Sequence, residues 1–104
     1  MSKKVQKIDI ISYLKDKKTE LFKKYGITAL GIYGSYARDE ATADSDIDIF
    51  YERDKNFELK SGIEFLNIGA ILAKELNVKK VDFVSLDSMN PIIKHFATRD
   101  FIYV

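Results

Sequence analysis

Two aspartates on one face of a short strand constrain this chain more than any other feature of its sequence. If the segment is extended, Asp46 and Asp48 point away from the face that carries Ile47, Ile49 and Tyr51. Carboxylates two residues apart on a strand lie roughly 6–7 Å from each other and repel. A hard divalent cation with oxygen ligands, above all Mg²⁺, would remove that repulsion. The alternation therefore predicts a cation site on one face of a sheet.

A second apolar strand precedes the acidic one and ends at a glycine. Residues 28–33 predict a buried strand, and Gly34 frees the backbone to enter a short helical turn over residues 35–39. Backbone N–H groups at the start of such a turn bind anions, and the Ser35 hydroxyl adds a further donor. We therefore expect a phosphate site just before the acidic strand, 47–52.

Simpler roles stay open for the two polar residues of this turn. Ser35 could merely cap the turn, as serines often do, so the Gly-Ser pair gains weight only from its distance to the two aspartates. Arg38 is the guanidinium nearest the following loop. It could hold a phosphate or pair with Asp44 or Asp39, and the sequence supports both roles equally.

A third acid lies in another apolar segment. Residues 80–86 predict a strand in which Val81 and Phe83 share one face while Asp82 lies on the other. An acid in such a strand is costly unless it is paired. An ion pair with a neighbouring lysine would account for it, but a site shared with the first two acids is the better explanation.

Helical periodicity accounts for most of the remaining chain. The first helix lies in a lysine-rich background, ends at Gly26 and is expected to cover the sheet with its apolar stripe. A second helix begins at Ser61, which forms a predicted capping box with Glu64. The stripe of the first helix consists of Ile8, Ile11, Leu14, Leu21, Phe22 and Tyr25. That of the second consists of Phe65, Ile68, Gly69, Leu72 and Leu76, and its glycine indicates close packing.

The last helix opens with Asn90 as its N-cap and Pro91 at its first position. We expect His95 to be exposed on this helix rather than to act as a base. Residues 101–104 could form a short strand, a packed tail or a contact with another subunit. The apolar side of the helix carries Ile92, Ile93, Phe96 and Ala97.

Composition narrows the class of protein. The 104 residues, 46% of them hydrophobic, predict one domain spanning residues 1–104. The absence of cysteine excludes disulfides, zinc–thiolate sites and thiol catalysis. No apolar run approaches the ~18 residues of a membrane span and no signal peptide is evident, so we expect a cytoplasmic protein. The net charge of +1 gives no reason to expect direct nucleic-acid binding. We expect the eight lysines of residues 1–25 to form a solvated helix face, and a phosphate or nucleic-acid patch is the weaker alternative.

The motif is Gly34-Ser35, ten intervening residues, and then Asp46-Ile47-Asp48. This spacing resembles the signature of the DNA polymerase beta-like nucleotidyltransferase superfamily. The short chain is further similar to the minimal nucleotidyltransferases, many of which are the antitoxin half of a HEPN/MNT toxin–antitoxin pair. One departure is Asp39, which stands where many members have glycine.

The resemblance implies the nucleotidyltransferase fold, an α/β (α+β) arrangement with a small mixed sheet of three core strands and about four helices. We expect the helices on one face of the sheet and the carboxylates on the other. The implied reaction transfers a nucleotide, AMP from ATP, to a hydroxyl acceptor and releases pyrophosphate. The implied catalytic, metal-binding residues are Asp46, Asp48 and Asp82 for two Mg²⁺ ions (or Mn²⁺), and the implied triphosphate ligands are Gly34, Ser35 and Arg38.

A domain of this size leaves its catalytic face open, so a partner must supply the acceptor. The resemblance names that partner as a HEPN toxin and the acceptor as one of its tyrosines, and oligomerisation would then run through the partner. Two other classes of function stay open at this point. The chain could be an inactive antitoxin that neutralises its partner by contact alone, or a structural domain whose acids pair with lysines.

Overall fold

The computed structural model describes residues 5–42, 44–60 and 62–104, in which four helices and four strands form an α+β fold. This confirms the predicted fold class. The helices are α1 (Lys7–Tyr25), α2 (Gly62–Leu66), α3 (Ile68–Leu76) and α4 (Pro91–Ala97). The strands are β1 (Ile27–Tyr33), β2 (Ile47–Arg53), β3 (Val81–Ser85) and β4 (Ile102–Tyr103). Short 3-10 helices occupy Leu86–Ser88 and Thr98–Asp100.

The sheet is mixed, as predicted, and its strand order is β3-β2-β1-β4. β1 pairs antiparallel with β2, whereas β2 pairs parallel with β3, so α2 and α3 form the crossover that parallel neighbours need. The three predicted strands are joined by β4, a two-residue edge strand next to β1. Of the alternatives open for residues 101–104, the structure therefore shows the short strand, and the Val104 amide extends it by donating to the Leu30 carbonyl at 2.9 Å.

Two apolar clusters lie on opposite faces of this sheet. The larger packs α1 and α3 against Ile47, Ile49 and Tyr51. The smaller centres on Phe50, which alternation directs to the carboxylate face, and which stacks on Phe101 with ring centroids 4.2 Å apart. The expectation that all helices lie on one face is therefore wrong. Because Phe50 is completely buried, the carboxylate face needs a cover of its own, and the chain from Leu86 to Phe101 provides it.

The predicted first helix is confirmed, and it ends at Gly26 in the left-handed conformation. Its buried face was only partly predicted. Ile8 and Phe22 are exposed, at 63% and 55%, while Ile10 is completely buried. Each helical residue turns the direction of the side chain by about 100°, and neither Ile8 nor Phe22 lies on the face that meets the sheet. That face consists of Ile10, Leu14, Leu21 and Tyr25.

The second predicted helix is divided into α2 and α3 at Asn67. Its stripe packs as expected over α3, where Ile68, Leu72 and Leu76 are buried. A Cβ on Gly69 would lie 3.2 Å from the Val81 carbonyl oxygen, so the predicted close packing is confirmed, against a strand. The proposed capping box involves Ser61, which lies outside the described residues.

The last helix begins as predicted, since the Asn90 side chain accepts a hydrogen bond from the Ile92 amide at 2.9 Å. His95 is exposed, also as predicted. The apolar side of α4, however, does not enter a core, because on this seven-residue helix only Ala97 reaches the Phe50 cluster.

None of the helices in the described ranges is long and apolar enough to cross a membrane.

A substitution of Gly31 tests how closely β4 and Phe50 pack against β1. A Cβ at this position would lie 2.3 Å from the Ile102 carbonyl oxygen and 2.4 Å from Cζ of Phe50. Gly31→Ala should therefore lower the free energy of unfolding by about 1–3 kcal/mol in urea titrations followed by circular dichroism. Gly62→Ala is the control, because its Cβ would meet nothing within 4 Å, and it should be neutral or slightly stabilising. Equal stability of the two variants would contradict this packing.

Candidate active site

Two of the three predicted catalytic acids are direct neighbours across the sheet. The parallel register of β2 and β3 pairs Asp48 with Asp82, and both side chains are partly buried on the face that also carries Phe50. Lys80 contacts Asp82 at 3.4 Å, so the lysine pairing that the sequence left open is present as well. That ion pair is solvent-exposed on the lysine side, and in the described part of the chain no lysine or arginine forms an ion pair with Asp48.

The pKa of Asp48 is raised to about 6. Burial is the largest cause, and the charge of Asp82 together with a hydrogen bond to it comes next. Asp48 can donate that hydrogen bond to the Asp82 carboxylate only below its pKa, when it is protonated, and above its pKa the two carboxylates repel each other. A bound cation would remove the repulsion between these two carboxylates.

Gly34 lies directly against the Asp48 carboxylate. The antiparallel register pairs Tyr33 with Asp48, and the next residue, Gly34, turns away with φ of 78°. A Cβ at this position would lie 2.3 Å from Oδ2 of Asp48. Glycine is therefore required twice, once for the left-handed backbone and once for the space that the carboxylate fills.

The predicted helical turn follows Gly34. The Arg38 amide donates to the Gly34 carbonyl at 3.1 Å and the Glu40 amide to the Ser35 carbonyl at 2.9 Å. Among the described residues, no backbone hydrogen bond uses the first amides of the turn, which are those of Ser35, Tyr36 and Ala37. Free amides at such a position are the donors that a phosphate needs.

Asp39 ends the turn in the left-handed conformation, with φ of 61°. The residue that departs from the family pattern thus adopts the backbone that glycine would adopt, which aspartate tolerates better than most residues. Lys7 of α1 secures this end of the turn, since its Nζ donates to the Ala37 carbonyl at 3.2 Å and contacts Oδ2 of Asp39 at 3.4 Å. The first helix therefore supports the turn over residues 35–39, which we call the anion turn for its predicted ligand, as well as the core.

Arg38 pairs with neither of the acids suggested by the sequence. Its Nε contacts Glu40 at 3.0 Å and its Nη1 contacts Asp100 at 3.0 Å. Asp100 belongs to the 3-10 helix after α4, and only the tertiary fold brings it here. The guanidinium still acts on the site, because its charge opposes the rise in the pKa of Asp48.

Asp46, the third predicted acid, is exposed just before β2 and affects Asp48 through its charge. Within the described residues no three acidic or histidine side chains already converge as a metal site. The donor set nevertheless suits Mg²⁺, which takes one or two carboxylates and keeps waters or phosphate oxygens as its other ligands. Asp48 and Asp82 supply that minimum, with Asp46 within electrostatic range.

Tyr33 is a residue of the site that sequence reasoning missed. It is half-buried against Phe50 and Phe101, and its pKa is raised to about 12 by burial and by the charges of Asp48 and Asp82. The signal was present, because Tyr33 ends the strand that leads into Gly34 and would face the acids in an antiparallel pair. It forms the apolar wall beside the carboxylates.

The raised pKa of Asp48 predicts how stability depends on pH in the metal-free protein. Between about pH 4 and 6 the folded state binds more protons than the unfolded chain, so the free energy of unfolding should fall as pH rises. Solvent screening limits the loss to about 1–2 kcal/mol. Asp48→Asn should remove it. Urea titrations at pH 4 and 7 in chelator measure this, and an equal pH dependence in both proteins would refute the assignment.

Comparison with known proteins agrees with this geometry. The family model for polymerase beta, nucleotidyltransferase, matches residues 9–103. A relative from Methanocaldococcus jannaschii, named putative protein adenylyltransferase MJ1379, is 39% identical over 97 residues, which are 92% of this chain and 95% of the relative. Protein adenylyltransferase MntA of Thermococcus cleftensis is 33% identical over 96 residues, which are 92% of this chain and 93% of that protein.

Solved structures show the same fold. A structure described as a putative minimal nucleotidyltransferase superposes with a TM-score of 0.75 at 21% identity, covering 97% of this chain and 98% of that one. A toxin–antitoxin crystal structure with AMP-PNP contains a chain that superposes with a TM-score of 0.66 at 21% identity, covering 95% and 72%. The resemblance identified from the Gly34 to Asp48 motif is confirmed. This chain belongs to the polymerase beta nucleotidyltransferase family.

Proposed function

We propose that the chain transfers AMP from ATP to a protein hydroxyl in a Mg²⁺-dependent reaction. The observation that carries this proposal is the placement of Asp48 beside Asp82 and directly beneath Gly34. Two adjacent acids next to an anion-binding turn form a site that suits a metal–triphosphate complex better than either part alone. The names of the relatives, which are protein adenylyltransferases, support AMP as the group transferred and a protein as the acceptor.

Each part of the site has a role in this reaction. The amides after Gly34 and the Ser35 hydroxyl hold the outer phosphates, and Arg38 adds a positive charge at the edge of the turn. Asp46, Asp48 and Asp82 would hold two Mg²⁺ ions, for which Mn²⁺ can substitute. Such ions stabilise charge on both the attacking and the leaving oxygen.

The transfer itself forms one bond and breaks one. The acceptor oxygen bonds to the α-phosphorus of ATP while the bond to pyrophosphate breaks. The hydroxyl proton must leave the acceptor, and Asp82 is our candidate to receive it because it lies at the far side of the acid pair from the turn. Pyrophosphate then leaves from the Gly34 side.

The acceptor that we propose is a tyrosine of a HEPN toxin, with this chain as the antitoxin. The toxin–antitoxin structure of similar fold supports a toxin as the partner. The acid pair lies on a sheet face covered only in part, so a docked partner can approach it. The alternative is an antitoxin that acts by contact alone. A measurement of AMP transfer to the toxin distinguishes these two functions.

The transfer reaction is tested with a HEPN toxin as the candidate acceptor. With ATP and Mg²⁺, mass spectrometry should detect added AMP on the toxin, while the ribonuclease activity that the HEPN resemblance implies for the toxin should fall. Asp46→Asn and Asp48→Asn should reduce the transfer rate by at least ~100-fold, because each removes a carboxylate that we assign to the metal. Inhibition without a mass change, retained in Asp48→Asn, would instead establish the contact-only antitoxin.

The turn is tested by a matched pair of substitutions. Gly34→Ala should abolish transfer for two reasons. The added Cβ would displace the Asp48 carboxylate, and the left-handed backbone of residue 34 disfavours any side chain. Ser35→Ala should reduce the rate only about tenfold, because the backbone donors remain. Steady-state rates measured on folded variants decide this. A Gly34→Ala variant as active as Ser35→Ala would show that the contact with Asp48 does not matter.

A further inference from the structure

A cleft of about 330 Å³ opens beside the anion turn. One wall is formed by Gly34 and Arg38, and the opposite wall by Ile92, Ile93 and Phe96 of α4. Its volume lies in the range of ligand sites, roughly 300–1,000 Å³. The cleft therefore joins a polar, anion-binding wall to an apolar one.

The apolar wall is unusually exposed. The exposed fractions are 71% for Ile92, 56% for Ile93 and 61% for Phe96. These three side chains belong to one helix of only seven residues, and the described part of the chain places no core against them. A cluster of this kind beside a site is typical of a surface that a ligand covers.

The two walls are fixed relative to each other by an ion pair. Arg38 on the turn contacts Asp100 at 3.0 Å, and Asp100 lies directly after α4 in the 3-10 helix Thr98–Asp100. The same guanidinium contacts Glu40, the residue that follows the turn. The guanidinium thus lies at the mouth of the cleft next to Gly34, between two carboxylates of which Asp100 also lines the cleft. The part of the far wall formed by Ile92, Ile93 and Phe96 carries no charge.

We propose that the nucleoside half of the bound nucleotide occupies this cleft, with its base against the ring of Phe96. The inference rests on the proposed function, since it takes the triphosphate to lie at the Gly34 turn. A nucleoside triphosphate is anionic at one end and carries a flat, largely apolar ring at the other. The cleft has the matching polarity, and it begins at the turn that binds the anionic end.

Phe96 is the residue on which this assignment depends. Every base has a π-face, and stacking on an aromatic side chain is a common way to hold a base without reading its identity. Ile92 and Ile93 extend the apolar wall beside the ring, but they cannot stack. The base would thus be held by shape and stacking, while the phosphates are held by the turn.

The experiment compares two ligands by titration calorimetry in Mg²⁺. ATP has the base, whereas inorganic tripolyphosphate presents only the anionic part. Phe96→Ala should weaken ATP binding about five- to tenfold and leave tripolyphosphate binding unchanged. Phe96→Tyr, which keeps the ring, should retain the affinity of the original protein for ATP.

Phe22→Ala is the matched control, because Phe22 is also an exposed phenylalanine, at 55%, but lies on α1. It should change neither affinity. Unchanged ATP affinity in Phe96→Ala would overturn the inference, and loss of toxin binding in that variant would then assign α4 to the protein partner. A chain that binds neither ATP nor tripolyphosphate would instead contradict the proposed function, so the two failures are distinguishable.

Discussion

The contact between two like charges, Asp48 and Asp82, is the constraint on which the other parts of the site depend. Sheet pairing forces them together, since their strands run parallel in register and neither side chain can turn to the apolar face. Packing in the two apolar clusters therefore holds the two carboxylates together against their mutual repulsion. Such opposition between packing and charge is characteristic of functional sites rather than of structural ion pairs.

Gly34 couples this acid pair to the anion turn. Because the residue has no side chain, the turn and the Asp48 carboxylate come into direct contact, and a phosphate at the turn would lie next to a cation at the acids. The support reaches well beyond the site. Lys7 at the start of α1 binds one end of the turn, and Arg38 links it to Asp100 near the end of the chain. The site is therefore held by elements from both ends of the sequence.

Much of this could be predicted because the signals are local. Alternation with a period of two assigned Asp48 and Asp82 to one face, and Gly26, Gly34 and Asn90 marked the ends of elements correctly. The predictions that were wrong concerned contacts that only the tertiary fold creates. An apolar pattern cannot tell which residues of a helix meet the sheet, so Ile8 was misassigned, and no local rule links Arg38 to an acid 62 residues away. The covering of Phe50 was missed for the same reason.

The parallel pairing of β2 and β3 also has a consequence for the order in which the site assembles. The β1–β2 hairpin joins segments that are close in the chain, whereas β3 can join only after residues 54–80 have crossed over the sheet. Closing the longer loop costs more entropy and belongs to a later step of folding. We expect the Gly34 turn and Asp48 to form first, with Asp82 arriving last. The electrostatic penalty is thus imposed only once the hydrophobic contacts that offset it are in place.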